Sequence, residues 1–135
     1  MYQQMIFVNL ATDDVAASRK FFTELGYSIN PQFSTDDCSC VVISDTIIAM
    51  LLSKQRYADF TKKEIADSTK TSEVLICLSA ESREKVDELV EKAVAAGGTA
   101  NDDAQDQGFM YGRSFDDLDG HSWEVVWMDP AAVQG

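Results

Sequence analysis

The sequence predicts an α+β fold made of two βαβββ repeats, each a strand, a helix and three further strands, with the strands forming curled mixed sheets. Three observations predict it. Apolar runs and helical patterns follow the same order in both halves of the chain. Their landmark residues fall at matching spacings. No apolar run approaches the ~20 residues of a membrane span. Phe7 stands seven residues before Asp14, where the first helix begins, and Leu75 stands seven before Ser82, where the second begins. Met50 lies five past the Asp45 turn, and Glu124 lies five past Asp119. A unit of this kind cannot cover its own sheet, so two copies in one chain imply that the two sheets pair.

Each element has a local reason. Met5 to Leu10 is an apolar run that reads as a strand. Thr12-Asp13-Asp14 supplies N-cap oxygens, Val15, Phe22 and Leu25 recur at helical spacing, and Gly26 stops the helix. Tyr27 to Phe33 reads as a second strand, placed at an edge by Pro31, which has no N–H to donate. Cys40 to Ile43 and Ile47 to Leu52 are two more, joined by Ser44-Asp45-Thr46. The polar stretch from Ser53 to Ser72 reads as a connector with one short helix around Tyr57, Phe60 and Ile65.

The pattern then restarts. Val74 to Leu78 is a strand, Ser82 an N-cap, and Val86, Leu89, Val90, Ala93 and Val94 fit a core-facing helix ended by Gly97-Gly98. A weak strand from Thr99 to Asp102 and a polar loop with Asp103 and Asp106 lead to firmer strands at Phe109 to Phe115 and Ser122 to Met128. The turn between these is Asp116 to Gly120. The expectation is a single domain over 1–135, with repeat one at 1–53, a connector at 54–72 and repeat two at 73–130.

Composition excludes several partners. Eleven basic against 23 acidic residues give a net charge of −12, the wrong sign for neutralising phosphates, so nucleic acid is not expected. The apolar runs are too short for a membrane partner, and Met1-Tyr2-Gln3-Gln4 lacks the basic start of a signal peptide. Cys38, Cys40 and Cys77 are odd in number, form no CxxC pair and have no histidine partner; they read as reduced core thiols in a cytoplasmic protein.

Two stretches carry a resemblance. The run FVNLATDDVAASRKFFTELGY is similar to the opening strand and helix of the vicinal oxygen chelate superfamily, which includes glyoxalase I, extradiol dioxygenases, and bleomycin and fosfomycin resistance proteins. The segment from Phe115 to Glu124 is similar to that family's closing turn and last strand. The resemblance covers nearly the whole chain. It implies sheets curled into a cup, with four inward His or Glu side chains holding a divalent metal, and it implies a dimer.

By the spacings above, those four positions fall on Phe7, Met50, Leu75 and Glu124, of which only Glu124 can bind such a metal. One carboxylate is a poor site for zinc, nickel or iron, which take three or four N, O or S ligands. The single histidine, His121, lies three residues from Glu124 and so points to the opposite face of an extended strand. No metal and no cofactor are therefore expected.

Phe7, Met50 and Leu75 suit an apolar or aromatic ligand, neutral or cationic, in a cup between the repeats. Trp123, Val125 and Trp127 share a parity suited to packing the helix, which sends Glu124 to the other face as an anchor or general base. A carboxylate there needs a partner or a raised pKa, with Arg113, Asn9 and Tyr111 as candidate partners. Tyr111 and Arg113 would also form a polar end to the ligand site. Two functions follow. One is a metal-independent small-molecule binding protein, whose missing ligands argue against glyoxalase I chemistry. The other is a lyase, isomerase or dioxygenase using Glu124 as base or metal ligand. The Asp116–Gly120 turn fails as a calcium loop, because Phe115 and Val126 stand where acidic ligands would be needed.

Overall fold

In a computed structural model, which describes residues 1–101 and 103–132, the chain forms two units, Met1–Asp67 and Ser68–Gly135. The first contains β1 (Ile6–Thr12), α1 (Val15–Glu24), β2 (Ser28–Ile29), β3 (Cys38–Val42), β4 (Ile47–Ser53) and a one-turn α2 (Lys54–Tyr57). The second contains β5 (Leu75–Ser79), α3 (Arg83–Ala95), β6 (Thr99–Ala100), β7 (Gln105–Asp106), β8 (Met110–Asp116) and β9 (Ser122–Met128).

The repeat predicted from spacing is present in the strand order. The first sheet runs β1-β4-β3-β2 and the second β5-β9-β8-β6, so each unit puts its first strand at an edge, parallel to its last. Asp14 and Ser82 are the N-caps of α1 and α3. Each side chain accepts a backbone N–H three residues on, from Ala17 and Lys85, removing an otherwise unpaired donor at the helix start.

In the first unit, α1 buries Val15, Ser18, Phe21 and Phe22 over Leu10, Thr12, Val41, Ala49 and Leu51. Arg19 fastens the loop before β3, its Nε donating to Ser39 Oγ at 2.6 Å and its Nη2 to Thr35 O at 2.6 Å. In the second, α3 buries Val86, Val90 and Ala93 over Leu78, Phe115, Trp123 and Val125. Phe115 and Trp123 stack across β8 and β9 at 6.4 Å between ring centroids.

Three expectations need correcting. The strand expected from Tyr27 to Phe33 shrinks to Ser28–Ile29, because Asn30 Oδ1 accepts from Gln32 N and caps a 3-10 turn that starts at Pro31. β2 does lie at the sheet edge. The connector's helix is a single turn ending at Tyr57, short of Phe60 and Ile65. The loop holding Asp103 and Asp106 contains a short strand, with Asp106 paired to Tyr111. Asp102, the far end of the weak strand, lies outside the described residues.

Gly120 ties the connector to the β8–β9 turn. Its φ is +84°, and a Cβ there would sit 2.9 Å from Ser68 O and 3.0 Å from Thr69 Cα. Gly26 also has positive φ, +107°, but a Cβ there would meet open space. Gly120→Ala should therefore lose more stability in urea unfolding than Gly26→Ala, which carries only the backbone cost of about 1 kcal/mol. Equal losses would show that the Ser68 contact does not constrain the turn.

Candidate functional site

The sheet face turned away from each helix follows from strand register. In the first unit Asn9 pairs with Met50 and Met50 with Cys40, while Phe7 and Ile48 pair beside them. All five share one face, opposite the α1-facing Leu10, Ala49 and Val41. Phe7 is 56% exposed, Met50 is half-buried, and Ile48 and Cys40 are buried. Asn9 is exposed, its Nδ2 3.4 Å from Phe7 O.

In the second unit Glu124 is the middle of its face. Cys77 lies directly across from it on β5, and Ser114 directly across on β8. Leu75 shares the face but pairs with Ser122, one side-chain layer away, and is 62% exposed. Phe7 thus shares its sheet face with Met50, and Leu75 with Glu124, as the spacing predicts. Within each sheet, though, the residues level with Met50 and Glu124 are Asn9 and Cys77. Cys77 is the residue missed. Its parity with Leu75 was readable, but its pairing with Glu124 depends on the parallel β5–β9 register.

Cys77 is exposed, which corrects its reading as a core thiol; Cys40 is buried and Cys38 half-buried. Desolvation of the thiol, and then the negative charge of Glu124, push the Cys77 pKa up. Glu124 itself is half-buried and, among the described residues, makes no ion pair or hydrogen bond.

The structure does not bring Tyr111 and Arg113 to Glu124. Ser114 is the β8 residue opposite Glu124, so by alternation Arg113 and Tyr111 face α3. There the Tyr111 hydroxyl donates to Asp87 Oδ1 at 2.6 Å, and Arg113 Nη1 donates to the same oxygen at 3.0 Å. Both bonds hold the Asp87 carboxyl below its usual range, the Tyr111 bond more strongly. Arg83, at the start of α3, lies over the rings of Tyr111 and Trp127, 5.2 Å from each centroid. It also grips Asp106 with two bonds, of 2.8 and 3.0 Å. These residues form a polar clasp on the helix side of the sheet.

The donor sets do not fit the metal that the resemblance implies. Level with Glu124 the second unit offers one carboxylate, one thiol and one serine hydroxyl; one side-chain layer away on the same face, Ser122 Oγ donates to Asp116 Oδ1 at 3.1 Å. The corresponding face of the first unit offers an amide, a thioether and a buried thiol, an ill-matched set for zinc or iron. Among the described residues, Asp117, Asp119 and His121 bring three ligand-type atoms within 4.8 Å of one another. They belong to the β8–β9 turn. Asp117 Oδ1 accepts the backbone N–H groups of Asp119 and His121, each at 3.0 Å, and Oδ2 accepts from Trp123 Nε1 at 3.0 Å. Ser68 Oγ meets His121 Nδ1 at 3.0 Å. With its carboxylate already engaged this way, Asp117 organises the turn, although burial pushes its pKa up.

The comparisons with known proteins agree with this architecture. Residues 4–44 match the family model described as bleomycin resistance protein-like N-terminal. A hypothetical protein, SA1046 from S. aureus, is 29% identical with a TM-score of 0.78, and 94% of each chain is covered. A glyoxalase-related enzyme from Fulvimarina pelagi is 22% identical at a TM-score of 0.78, covering 93% of this chain and 88% of that one. A glyoxalase/bleomycin resistance protein/dioxygenase family enzyme from Burkholderia phytofirmans PsJN is 17% identical at 0.76, covering 93% and 99%. No curated protein matches the sequence.

The clasp gives a pH prediction. Arg83, followed by the Gly108 N–H, holds Asp106 at a pKa of about 2, below its ordinary 3.8. A depressed carboxylate contributes stability that is in full force above its unfolded pKa and is lost as pH falls through the folded one. Carboxyl-carbon NMR should show Asp106 titrating near 2, moving up toward 3.8 in Arg83→Ala. An unchanged midpoint in that variant would remove Arg83 as the cause.

Proposed function

We propose that this chain is a metal-independent small-molecule binding protein of the vicinal oxygen chelate superfamily. Its ligand is apolar or aromatic and rests on the sheet faces that carry no helix. The observation that carries this reading is the chemistry of those faces. Exposed Phe7 and Leu75 and half-buried Met50 occupy positions where the resemblance implies His or Glu donors. Phe7 and Met50 on the first sheet, and Leu75 on the second, each favour contact with an apolar partner over water.

The protein acts as a homodimer in this reading. β1 and β5 are edge strands, and neither IFVNLAT nor LICLS contains the charge or proline that usually blocks edge pairing. A second copy would cover them. Three unpaired thiols suit a reducing, cytoplasmic location. No helix among the described residues is long and apolar enough to cross a membrane. The alternative is a lyase, isomerase or dioxygenase of that superfamily with Glu124 as base or metal ligand; the donors level with Glu124 in its own sheet, Cys77 and Ser114, favour the binding reading over the metal one.

A thermal-shift screen of aromatic and apolar compounds on metal-free protein tests the proposal. At least one compound should raise Tm, and Met50→Gln should weaken its binding by about tenfold or more, the worth of one lost apolar contact surface. Stabilisation that appears only after a divalent metal is added would instead favour the enzyme reading.

A further inference from the structure

We propose that the helix-free face of the first sheet binds a soft monovalent metal ion, of the Cu(I) class, between Cys38, Cys40 and Met50. Register places the three sulfurs. Met50 of β4 lies directly across from Cys40 of β3, and Cys38 stands two residues before Cys40, so all three share one face. The backbone shows which kind of pair Cys40 and Met50 make. The Cys40 carbonyl accepts from Asn30 N at 2.9 Å, and its N–H donates to Ser34 Oγ at 3.0 Å. Both groups are spent on the β2 side and neither bridges to Met50. This is the closer of the two pair types in an antiparallel ladder, with Cα atoms about 4.5 Å apart. Cys38 is diagonal to Met50, about 7–8 Å off between backbones, a gap within reach of a long, freely rotating thioether.

The donors on this face select the metal. β1, β3 and β4 read IFVNLAT, CSCVV and IIAMLLS, with no histidine and no charged residue. Zinc would want a fourth nitrogen, oxygen or thiolate ligand, which the face lacks. Two thiols and a thioether suit Cu(I), which is satisfied by few, soft donors. Ile48 and Leu52, both buried, flank the sulfurs on β4 with apolar surface. Cys40 is buried, whereas Cys38 is half-buried and makes only weak contacts, its Sγ 3.5 Å from both Thr35 Oγ1 and Phe33 O. Rotation about χ1 releases those contacts and makes Cys38 the point of entry. As the two S–Cu bonds form, each thiol gives its proton to solvent. The thioether adds a third bond with no proton to lose.

This site belongs to the first unit alone and uses no residue level with Glu124. Met50 is shared with the proposed ligand surface, so the variant chosen is Met50→Leu, which keeps the apolar surface and removes the sulfur. Cys38→Ser is preferred to a change at buried Cys40, whose loss could unfold the sheet. Cys77→Ser, in the second unit, is the control for a thiol that binds the ion by chance.

The test is titration of the reduced, metal-free full-length chain with Cu(I) against the chelator bathocuproine disulfonate, without oxygen. One Cu(I) per chain should be withheld from the chelator, with a sulfur-only first shell by X-ray absorption. Cys77→Ser should hold it as tightly as the wild type, while Cys38→Ser should lose about a hundredfold in affinity and Met50→Leu about tenfold. Full withdrawal of the ion by the chelator would overturn the proposal. So would an ion that stays in Cys38→Ser and is lost in Cys77→Ser, or nitrogen or oxygen in its first shell. Unchanged affinity in Met50→Leu would strike out the thioether, and with it the three-sulfur site. None of these results touches the small-molecule reading, which the thermal-shift screen tests by itself.

Discussion

Trp123 sets the placement of the other side chains in the second repeat. It is fully buried, stacked on Phe115, and its indole N–H is taken by Asp117 in the turn between β8 and β9. Burying a side chain of this size stabilises by roughly 3 kcal/mol or more, and the satisfied N–H removes the main cost of doing so. Because strand side chains alternate, fixing Trp123 toward α3 fixes Val125 toward α3 as well, and sends Glu124 to the opposite face. A slip of one residue would bury the carboxylate under α3 and expose the tryptophan. The position of Glu124 is thus a consequence of where the indole must go.

The same constraint separates two polar systems that lie close in sequence. Tyr111 and Arg113 pair with Trp127 and Val125, so they join Asp87 and Arg83 on the helix side. There they surround the start of α3 and hold the β7 segment. Ser114 and Glu124 belong to the open face with Cys77. The clasp is self-satisfied and structural in character, whereas the open face has a carboxylate with no partner. On the proposed function, the ligand rests on the second.

Much of this was legible in the sequence. The helix caps, the duplicated strand order, the helix-facing tryptophans and the opposite orientation of Glu124 all follow from period, cap chemistry and spacing. What failed needed information from a second strand. Arg113 and Tyr111 were expected beside Glu124 because parity within β8 is undefined until β8 is registered against β9. The Phe115–Trp123 pair could have supplied that register. Cys77 reads as core because it lacks a histidine partner, a criterion that does not distinguish an edge strand from a central one. Tyr27 to Phe33 failed locally, where Asn30 and Pro31 together favour a capped turn over continued pairing.

The proposed function requires that Glu124 and the side chains level with it, Cys77 and Ser114, hold no divalent metal. Elemental analysis of tag-free protein, purified without chelator, tests this most directly. Zinc, nickel, iron and manganese should each be far below one per chain. One tightly held metal per chain, lost in Glu124→Ala, would contradict it and make Glu124 a ligand in an enzyme's metal centre.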